Sequence, residues 1–163
     1  SSDRLEGNNG NNIISSGGGP DYLDGLGGND TFHFAADDLP NSVDGGSGTD
    51  EIVLHDLGGT YDLTALSSAS ANVEELDISE SYLTPDPTTN TDITISSADI
   101  QGMVGNGADS VLTVHANVGD TLVLDLNTGL GETVSEPFTP DVTATYTISL
   151  SGTQVAQLVW DVA

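Results

Sequence analysis

Oxygen-bearing side chains recur near the start of the chain at intervals of nine residues, at Asp3, Asn12, Asp21 and Asp30. Large apolar residues keep the same interval two positions later, at Leu5, Ile14, Leu23 and Phe32. The segments between them are mostly glycine and asparagine, so each period is predicted to form a tight turn followed by a short strand. Backbone carbonyls can approach an ion closely at such turns, and the Asp or Asn adds a side-chain oxygen. Calcium takes oxygen ligands of both kinds, so the spacing predicts calcium-binding turns.

A later segment, Gly45 to Val53, has the sequence Gly-Gly-Ser-Gly-Thr-Asp-Glu-Ile-Val. It matches the nonapeptide G-G-x-G-x-D-x-U-x, where U is a large apolar residue, at every fixed position. The segment therefore resembles the repeats of the repeats-in-toxin (RTX) family, which bind calcium. The resemblance covers residues 3 to 54, and the other copies depart from the pattern at Asn8, Asn12, Ser16 and Leu26. The alternative is a flexible Gly/Asn linker, which has no reason to place apolar residues in register with acids.

The charge balance also points to a cation. The chain has 26 acidic residues and a single basic one, Arg4, for a formal net charge of −25. Nucleic acids and anionic membranes are bound through clustered Lys and Arg, so neither is expected as a partner. Two carboxylates about 5 Å apart repel by about 3 kcal/mol at an effective dielectric near 20. Stacked acidic turns should therefore need bound cations, and we expect the N-terminal third to be largely unfolded without calcium.

The RTX resemblance implies a particular geometry for these turns. In that family two nonapeptides make one turn of a parallel β-roll, so residues 18 apart stack on each other. Asn12 is then expected under Asp30, and Asp3 under Asp21. Several calcium ions would lie between stacked turns, bound by Asp side chains and turn carbonyls. The amide of Asn12 carries no charge, so a site there should be weaker.

The spacing changes once in the repeat region. The stretch from Phe34 to Asp44 has eleven residues instead of nine, so we interpret it as a row with a two-residue insertion. Asp50 then returns to the edge of Asn12 and Asp30, and Asp37, Asp38 or Asp44 would serve the opposite edge. The resemblance thus implies a set of metal-binding residues: Asp3, Gly7, Asn9, Asn12, Ser16, Gly18, Asp21, Gly25, Gly27, Asp30, Asp38, Asp44, Gly45, Ser47 and Asp50.

The fold class predicted for the whole chain is all-β. Beyond Leu54 the glycine spacing gives way to short apolar–polar alternations, which are typical of half-buried strands. We expect residues 1–57 to form the calcium-binding β-roll and residues 58–163 to form a β-rich continuation and cap, together one structural unit. Ser96 is a candidate N-cap for a short helix that ends before Gly105. Val118 to Leu122 fits a degenerate calcium row or a plain Gly-Asp turn, as does Gly107 to Val111.

The end of the chain is predicted to be a β-hairpin. Alternating residues from Ala144 to Leu150 are followed by Ser151-Gly152 and by a second alternating run. In that run the apolar face consists of Ala156, Leu158, Trp160 and Val162. The hairpin would cap the open end of the coil, because unpaired strand edges need to be covered. The alternative is that these are the last two strands of a sandwich.

Motifs for catalysis are missing from the sequence. Without lysine there is no P-loop, and without cysteine there is no thiol catalysis, disulfide or thiolate zinc site. His33, His55 and His115 stand alone in sequence, so each is predicted to lie on a strand face. Glu74 and Glu75 are predicted to be solvated surface. The alternating threonines Thr143, Thr145 and Thr147 fit either a sugar- or ice-binding face or ordinary outward positions. We do not expect an enzyme.

The calcium prediction also suggests a location. Extracellular modules bind calcium with dissociation constants of about 10⁻⁴ to 10⁻³ M, a range that the cytosol would not fill. The RTX resemblance implies export by type I secretion, and Asp3 and Leu5 lie in phase from the start, as in a fragment of a longer repeat protein. We favour a secreted or surface-attached adhesin, monomeric as a fragment and without membrane insertion. A cell-surface glycan or a protein is a possible ligand. One alternative is a calcium-dependent module that binds a carbohydrate, a peptide or ice. Another is a piece of an RTX enzyme.

Overall fold

The computed structural model describes residues 1–35, 39–55, 59–79, 91–105, 111–125, 132–134, 143–150 and 153–162. Most of them lie in short strands, which confirms the predicted all-β class. The strands are β1 (Arg4–Asn8), β2 (Ile13–Ser15), β3 (Tyr22–Leu26), β4 (Thr31–Ala35), β5 (Ser42–Asp44), β6 (Glu51–His55), β7 (Gly59–Asp62), β8 (Ser70–Ala71), β9 (Glu75–Asp77), β10 (Thr91–Ser96), β11 (Val111–Ala116), β12 (Thr121–Asp125), β13 (Glu132–Val134), β14 (Ala144–Leu150) and β15 (Thr153–Val162). The described helices are α1 (Thr64–Ala69) and α2 (Ser97–Val104).

Successive strands of the N-terminal segment alternate between two parallel sheets. The smaller sheet has the order β1-β3-β5-β8, and the larger sheet contains β2, β4, β6 and β9 as consecutive neighbours. Each connection therefore crosses from one sheet to the other, and every second strand returns beside its predecessor. This arrangement places all turns of one kind on one side of the pair of sheets and all turns of the other kind on the opposite side.

The strand register follows the repeat length. It advances by 18 residues between the first strands, because Arg4 pairs with Tyr22 and Ile13 pairs with Thr31. It advances by 20 between the next two strands of the smaller sheet, where Tyr22 pairs with Ser42. The register thus agrees with the predicted stacking of residues 18 apart. The two extra residues fall between β4 and β5, in the stretch where the sequence analysis placed an insertion.

The core lies between the two sheets. Leu23 and Val43 point into it from the smaller sheet, Phe32 and Ile52 point into it from the larger one, and none is more than 2% exposed. Neighbouring residues on a strand point to opposite faces, so each short strand gives the core only one or two apolar side chains. The same cluster of buried hydrophobic side chains continues through the rest of the described chain to Trp160.

The second part of the chain extends the larger sheet through β9, β11 and β15, all in parallel register. A separate parallel sheet has the order β12-β10-β7. Helix α2 packs against β8, β10, β11 and β15. Its predicted start is confirmed, because the Ser96 hydroxyl accepts a hydrogen bond from the Asp99 N–H (3.2 Å) and the Asp99 carboxylate accepts one from the Ser96 N–H (2.8 Å). Gly105, with φ of 89°, ends the helix as predicted.

At the end of the described chain, β14 pairs antiparallel with both β13 and β15. Ala156, Leu158 and Trp160 are fully buried and Val162 packs against the same core, which confirms the predicted apolar face. The predicted turn at residues 151–152 and residues 107–110 of the degenerate repeat lie outside the described residues. None of the helices in the described ranges has the length and apolar character that a membrane crossing requires.

Candidate metal centre

The turns that lead from the smaller sheet to the larger sheet stack along one side, which we call the Asn12 edge. It comprises residues 7–12, 25–30 and 45–50, followed by residues 72–74. A ladder of hydrogen bonds joins these layers. The N–H of Asn12 donates to Oδ1 of Asp30 (2.7 Å), and the N–H of Asp30 donates to Oδ1 of Asp50 (2.8 Å). The N–H of Asp50 donates in turn to Oε2 of Glu74 (2.9 Å). Each of these Asp residues therefore holds the preceding layer with one oxygen and keeps the other for a different partner.

The second oxygens of Asp30 and Asp50 are buried, and neither has a hydrogen-bond partner among the described residues. The two residues are 1% and 0% exposed. A buried carboxylate oxygen without a donor or cation is strongly destabilising. The only lysine or arginine of the chain, Arg4, already pairs with Glu6 (3.3 Å) and Asp24 (3.4 Å). Among the described residues, no lysine or arginine is therefore available to pair with Asp30 and Asp50.

Glycine at the first position of each turn leaves room beside these oxygens. A Cβ atom on Gly25 would overlap Oδ2 of Asp30 and lie 2.6 Å from the carbonyl oxygen of Gly45. A Cβ atom on Gly45 would lie 2.7 Å from Oδ2 of Asp50 and overlap the carbonyl oxygen of Asn72. A carboxylate oxygen and a carbonyl oxygen from the next layer thus converge twice on the same small space. Hard cations such as calcium are bound by oxygen sets of this kind.

The first layer of the Asn12 edge repeats this geometry with an amide. A Cβ atom on Gly7 would overlap Oδ1 of Asn12 and lie 2.8 Å from the carbonyl oxygen of Gly25. That Oδ1 also accepts a hydrogen bond from the N–H of Asn8 (2.7 Å). The space next to Gly7 therefore has the carbonyl oxygen but lacks the charged, partnerless one. This difference is consistent with the weaker site expected at Asn12.

The third positions of the same turns also lie in consecutive layers. Gly27 pairs in parallel with Ser47, and the N–H of Gly28 donates to the Ser47 carbonyl (2.9 Å). A Cβ atom on Gly27 would lie 3.0 Å from Oγ of Ser47 and 3.7 Å from Oδ1 of Asn9. Asn9, Gly27 and Ser47, all expected as ligands, are therefore brought together on one edge. Their carbonyls remain predicted ligands.

The turns that lead back from the larger sheet to the smaller one lie on the opposite side, which we call the Asp21 edge. It comprises residues 1–3, 16–21 and 40–41. The N–H of Asp3 donates to Oδ1 of Asp21 (2.8 Å), so these two residues stack as predicted. Asp21 is fully buried, and its Oδ2 has no hydrogen-bond partner among the described residues. The hydroxyl of Ser16, in the same turn, is also buried without one, and Gly18 has a φ of 96°. This edge too presents a buried carboxylate oxygen without a hydrogen-bond partner among the described residues.

Asn41 continues the Asp21 edge, and the sequence analysis missed it. Its N–H donates to the carbonyl of Asp21 (2.8 Å), and its Nδ2 donates to the carbonyl of Pro20 (3.1 Å). The register advance of 20 residues that aligns Asp50 with Asp30 also aligns Asn41 with Asp21. The same count, applied to both edges, would have identified it.

Of the three acids named as alternatives for the Asp21 edge after the insertion, the structure describes Asp44 and places it elsewhere. Asp44 lies within β5 in register with Asp24, and its Oδ1 accepts a hydrogen bond from Nδ2 of Asn72 (2.7 Å). Its predicted role as a ligand next to Asp21 gains no support from this position. Asp37 and Asp38 lie outside the described residues.

Glu74 extends the Asn12 edge, and its interpretation as solvated surface was wrong. It is half-buried and accepts the hydrogen bond from Asp50 described above. The N–H of Glu74 also donates to the carbonyl of Asp50 (3.0 Å), so the two residues hold each other through two contacts. Leu76, two positions after Glu74, is fully buried. Asp30 and Asp50 are likewise followed by a buried apolar residue two positions later. This spacing was the signal in the sequence that could have identified Glu74.

Crowding of the acids changes their protonation. Burial raises the pKa of the Asp50 carboxyl above its ordinary value of 3.8; the hydrogen bond from the Asp30 N–H opposes this rise, and the charges of Asp30 and Asp44 add to it. Burial also raises the pKa of the Glu74 carboxyl above 4.5, against the hydrogen bond from the Asp50 N–H and with the Asp50 charge. Without a cation, the carboxyls of Asp50 and Glu74 therefore bind protons more tightly in the fold than in the unfolded chain.

Asp120 shows what a purely structural acid looks like in this fold. It is buried, and both its oxygens accept backbone hydrogen bonds, from the N–H of Thr91 (2.7 Å) and from the N–H of Asn117 (2.7 Å). No oxygen is left for an ion, so the residues from Val118 to Leu122 fit a plain Gly-Asp turn better than a calcium row. The contrast makes the partnerless oxygens of Asp21, Asp30 and Asp50 more informative.

Comparison with known protein families agrees with this geometry. The model of the RTX calcium-binding nonapeptide repeat, in four copies, matches residues 1–38. That part of the chain therefore carries RTX calcium-binding repeats, as the sequence analysis concluded. The most regular copy, Gly45 to Val53, lies beyond the matched residues but continues the same ladder. Searches of curated proteins and of solved structures found no match.

Proposed function

We propose that this chain is a calcium-binding domain whose N-terminal third is a parallel β-roll that folds together with several calcium ions. The observation that carries the proposal is the set of buried, partnerless Oδ2 atoms of Asp21, Asp30 and Asp50 in a chain of net charge −25. Each lies at a turn whose sequence follows the RTX repeat. The residues present fit the ion, because carboxylate and carbonyl oxygens converge where a glycine leaves room.

Ion binding and folding are coupled in this proposal. The unfolded chain keeps its carboxylates apart and hydrated, whereas the fold brings them together and removes water from them. The repulsion of one close pair, about 3 kcal/mol at an effective dielectric near 20, is a large part of the roughly 5 to 15 kcal/mol that stabilises a domain. Calcium that binds only the folded chain offsets this repulsion and shifts the equilibrium towards the fold.

The proposed ligands divide between the two edges. On the Asn12 edge, Asp30 and Asp50 supply charged oxygens, Asn12 supplies an amide oxygen, and turn carbonyls come from Gly7, Asn9, Gly25, Gly27, Gly45 and Ser47. On the Asp21 edge the ligands are Asp3 and Asp21, with carbonyls from Ser16 and Gly18. Glu74 joins the set at the end of the Asn12 edge. Asp44 and Asp38 stay predictions without further support.

The role that follows is structural and takes place outside the cell. A domain that is disordered at low calcium and rigid at millimolar calcium can be exported unfolded and then fold on arrival, which suits type I secretion. We propose that residues 1–57 are this calcium-dependent roll and that residues 58–163 continue and cap it as one unit, since one buried core runs through both. An extracellular adhesin that binds a surface glycan or protein is the context we favour.

Calcium titration followed by far-ultraviolet circular dichroism tests the proposal. We expect β-structure to form on addition of calcium and not on addition of magnesium, because magnesium prefers a smaller octahedral site and keeps its waters. Asp30→Ala and Asp50→Ala should each raise the calcium midpoint about tenfold or more. Asp24→Ala is the matched control, because Asp24 lies on the same roll but is half-exposed and paired with Arg4.

Two results would contradict the proposal or its ligand assignment. If the chelated chain already has its full β-content and melting temperature, calcium is not part of the fold and the proposal fails. If calcium induces folding but Asp30→Ala and Asp50→Ala titrate like Asp24→Ala, the ions are bound elsewhere and the ligand assignment fails.

A further inference from the structure

The outward face of the larger sheet brings a second group of metal-binding side chains together, away from both edges. Glu51 of β6, Glu75 of β9 and His115 of β11 lie on three adjacent parallel strands. Glu51 is directly opposite Glu75, and His115 is opposite Asp77, two residues beyond Glu75. These residues are separated by 24 and 40 positions in sequence, so only the sheet makes them neighbours.

The three side chains are close enough to share one ion. One ligand atom from each lies within 4.8 Å of the other two, and Nε2 of His115 lies 3.7 Å from Oε2 of Glu75. Ligands of a tetrahedral zinc ion lie about 3.4 Å apart, given zinc–ligand bonds of about 2.0 to 2.1 Å. Small rotations of the glutamate side chains would close the remaining distance. All three residues are half-buried, so the site is partly shielded and still open to ions from solution.

Asp161 of β15 lies directly opposite the histidine on the neighbouring strand. Its Oδ2 lies 3.4 Å from Nδ1 of His115, on the other side of the ring from the glutamates. The negative charge of Asp161 favours the tautomer with the proton on Nδ1, which would leave the lone pair of Nε2 facing Glu75. Metal-binding histidines commonly have this arrangement, with a carboxylate next to the ring nitrogen that does not bind the metal. It distinguishes the group from a purely acidic patch.

Two glutamates directly opposite each other on neighbouring strands repel, which is unfavourable in a sheet unless a cation lies between them. We propose that Glu51, Glu75 and His115 bind one divalent transition-metal ion of the zinc type, separate from the calcium ions of the turns. The imidazole nitrogen decides the class, because calcium prefers oxygen ligands whereas zinc accepts a mixed nitrogen and oxygen set. Water would complete the coordination at the exposed side.

Isothermal titration with Zn²⁺ in saturating calcium tests this proposal, with the calcium-loaded fold checked by circular dichroism in the same samples. We expect one zinc ion per chain. His115→Gln and Glu75→Gln should each weaken zinc binding about tenfold or more, while Asp161→Asn should have a smaller effect through the ring orientation. Zinc should also shift the Nε2 resonance of His115 in nitrogen-15 NMR spectra. Glu6→Gln, on the outer face of the smaller sheet, should bind zinc like the parent.

The pair of His33 and His55 provides a control for the location of the ion. Nδ1 of His33 lies 2.9 Å from Nε2 of His55 on the same side of the sheet. If His33→Gln abolishes zinc binding and His115→Gln does not, the ion is bound at that pair and the proposal is wrong. It is also wrong if the parent and all variants bind zinc equally or not at all. These outcomes leave the calcium titration unchanged, so the two proposals fail independently.

Discussion

The Asn12 edge and the Asp21 edge are made from the same nine-residue period, yet they differ at the first position of their turns. On the Asn12 edge this position is Gly7, Gly25 or Gly45, and the space that a side chain would fill is where carboxylate and carbonyl oxygens converge. On the Asp21 edge the position is Ser16, whose hydroxyl is buried without a hydrogen-bond partner. The two edges therefore offer an ion different surroundings.

The two edges also differ in the residues that stack on Asp30 and on Asp21 in the next layers. On the Asn12 edge Asp30 is followed by Asp50 and Glu74, so charged oxygens continue from layer to layer. On the Asp21 edge Asp21 is followed by Asn41, which uses its N–H and its amide to bind backbone carbonyls. The comparison indicates that the apolar period specifies the coil, whereas the ion capacity of each edge depends on the first turn residue and on the acid in the next layer.

The largest effect on calcium binding should come from filling the space beside Gly25 with a side chain. Gly25→Ala places a Cβ atom on top of Oδ2 of Asp30 and against the carbonyl of Gly45, and overpacking of this kind costs about 1 to 3 kcal/mol even without a metal. We expect the calcium midpoint, measured by circular dichroism, to rise about tenfold or more. Ser16→Ala changes the matching position on the Asp21 edge and should move the midpoint by no more than about twofold.

The same two variants also test whether the two edges really differ. If Gly25→Ala and Ser16→Ala raise the calcium midpoint equally, the two edges bind calcium in the same way and the space beside Gly25 has no special role. If Gly25→Ala titrates like the parent, the converging oxygens do not mark an ion site.

A smaller gain of β-structure should appear when the pH is lowered in the absence of calcium. The pKa values of Asp50 and Glu74 are raised in the folded chain, mainly by burial, so the fold binds protons more tightly than the unfolded chain does. Their protonation stabilises the metal-free fold fully below the ordinary values of 3.8 and 4.5, and this contribution is lost as pH rises through the higher folded values. We therefore expect chelated protein to have more β-structure near pH 4 than at pH 7.

The control is a chain in which these two groups cannot titrate. Asp50→Asn combined with Glu74→Gln should reduce the pH dependence of circular dichroism in chelator, and Glu51, whose pKa is also raised by burial, should contribute to what remains. Loss of β-structure on acidification of the chelated parent would mean that repulsion on the Asn12 edge does not limit the metal-free fold.

The sequence was informative where the structure depends on a short period. The recurrence of a turn, an acid and an apolar residue within nine positions carried the RTX resemblance, and that resemblance implied that Asp30 and Asp50 share one edge and that Asp3 lies under Asp21. The helix from Ser97 could be predicted for the same reason, since its capping contacts join residues three apart. Local patterns of this kind need no knowledge of distant parts of the chain.

Features that depend on long connections could not be predicted. Glu74 lies 24 residues after Asp50, with β6, β7, α1 and β8 between them, so the count of nine gives no guide to its layer and only the apolar residue two positions later pointed to it. Glu51, Glu75 and His115 are brought together by the order of strands in the larger sheet. No spacing in the sequence reveals that order, because helices and a further sheet separate the strands.

The smallest expected effect concerns the second position of the turns. Here the glycine is on the Asp21 edge, and the Asn12 edge has a residue with a side chain. Leu26 on the Asn12 edge has a φ of 72°, and Gly17 on the Asp21 edge has a φ of 69°. The left-handed region costs a residue with a side chain about 1 to 2 kcal/mol, and glycine avoids this cost. The repeat pattern has glycine here, so Leu26 is strained by its departure from the pattern.

Leu26→Gly should therefore stabilise the calcium-loaded fold by up to about 1 kcal/mol, since glycine's greater freedom in the unfolded chain offsets part of the relief. The lost burial is small, because Leu26 is 41% exposed. Gly17→Leu is the reciprocal variant and should destabilise by a similar amount, because nothing lies within 4 Å of an added Cβ and only the backbone strain is introduced. Thermal melting in saturating calcium measures both. If Leu26→Gly lowers the melting temperature as much as Gly17→Leu does, the side chain of Leu26 contributes more than its strained backbone costs, and the two edges differ in packing at this position as well as in ion binding.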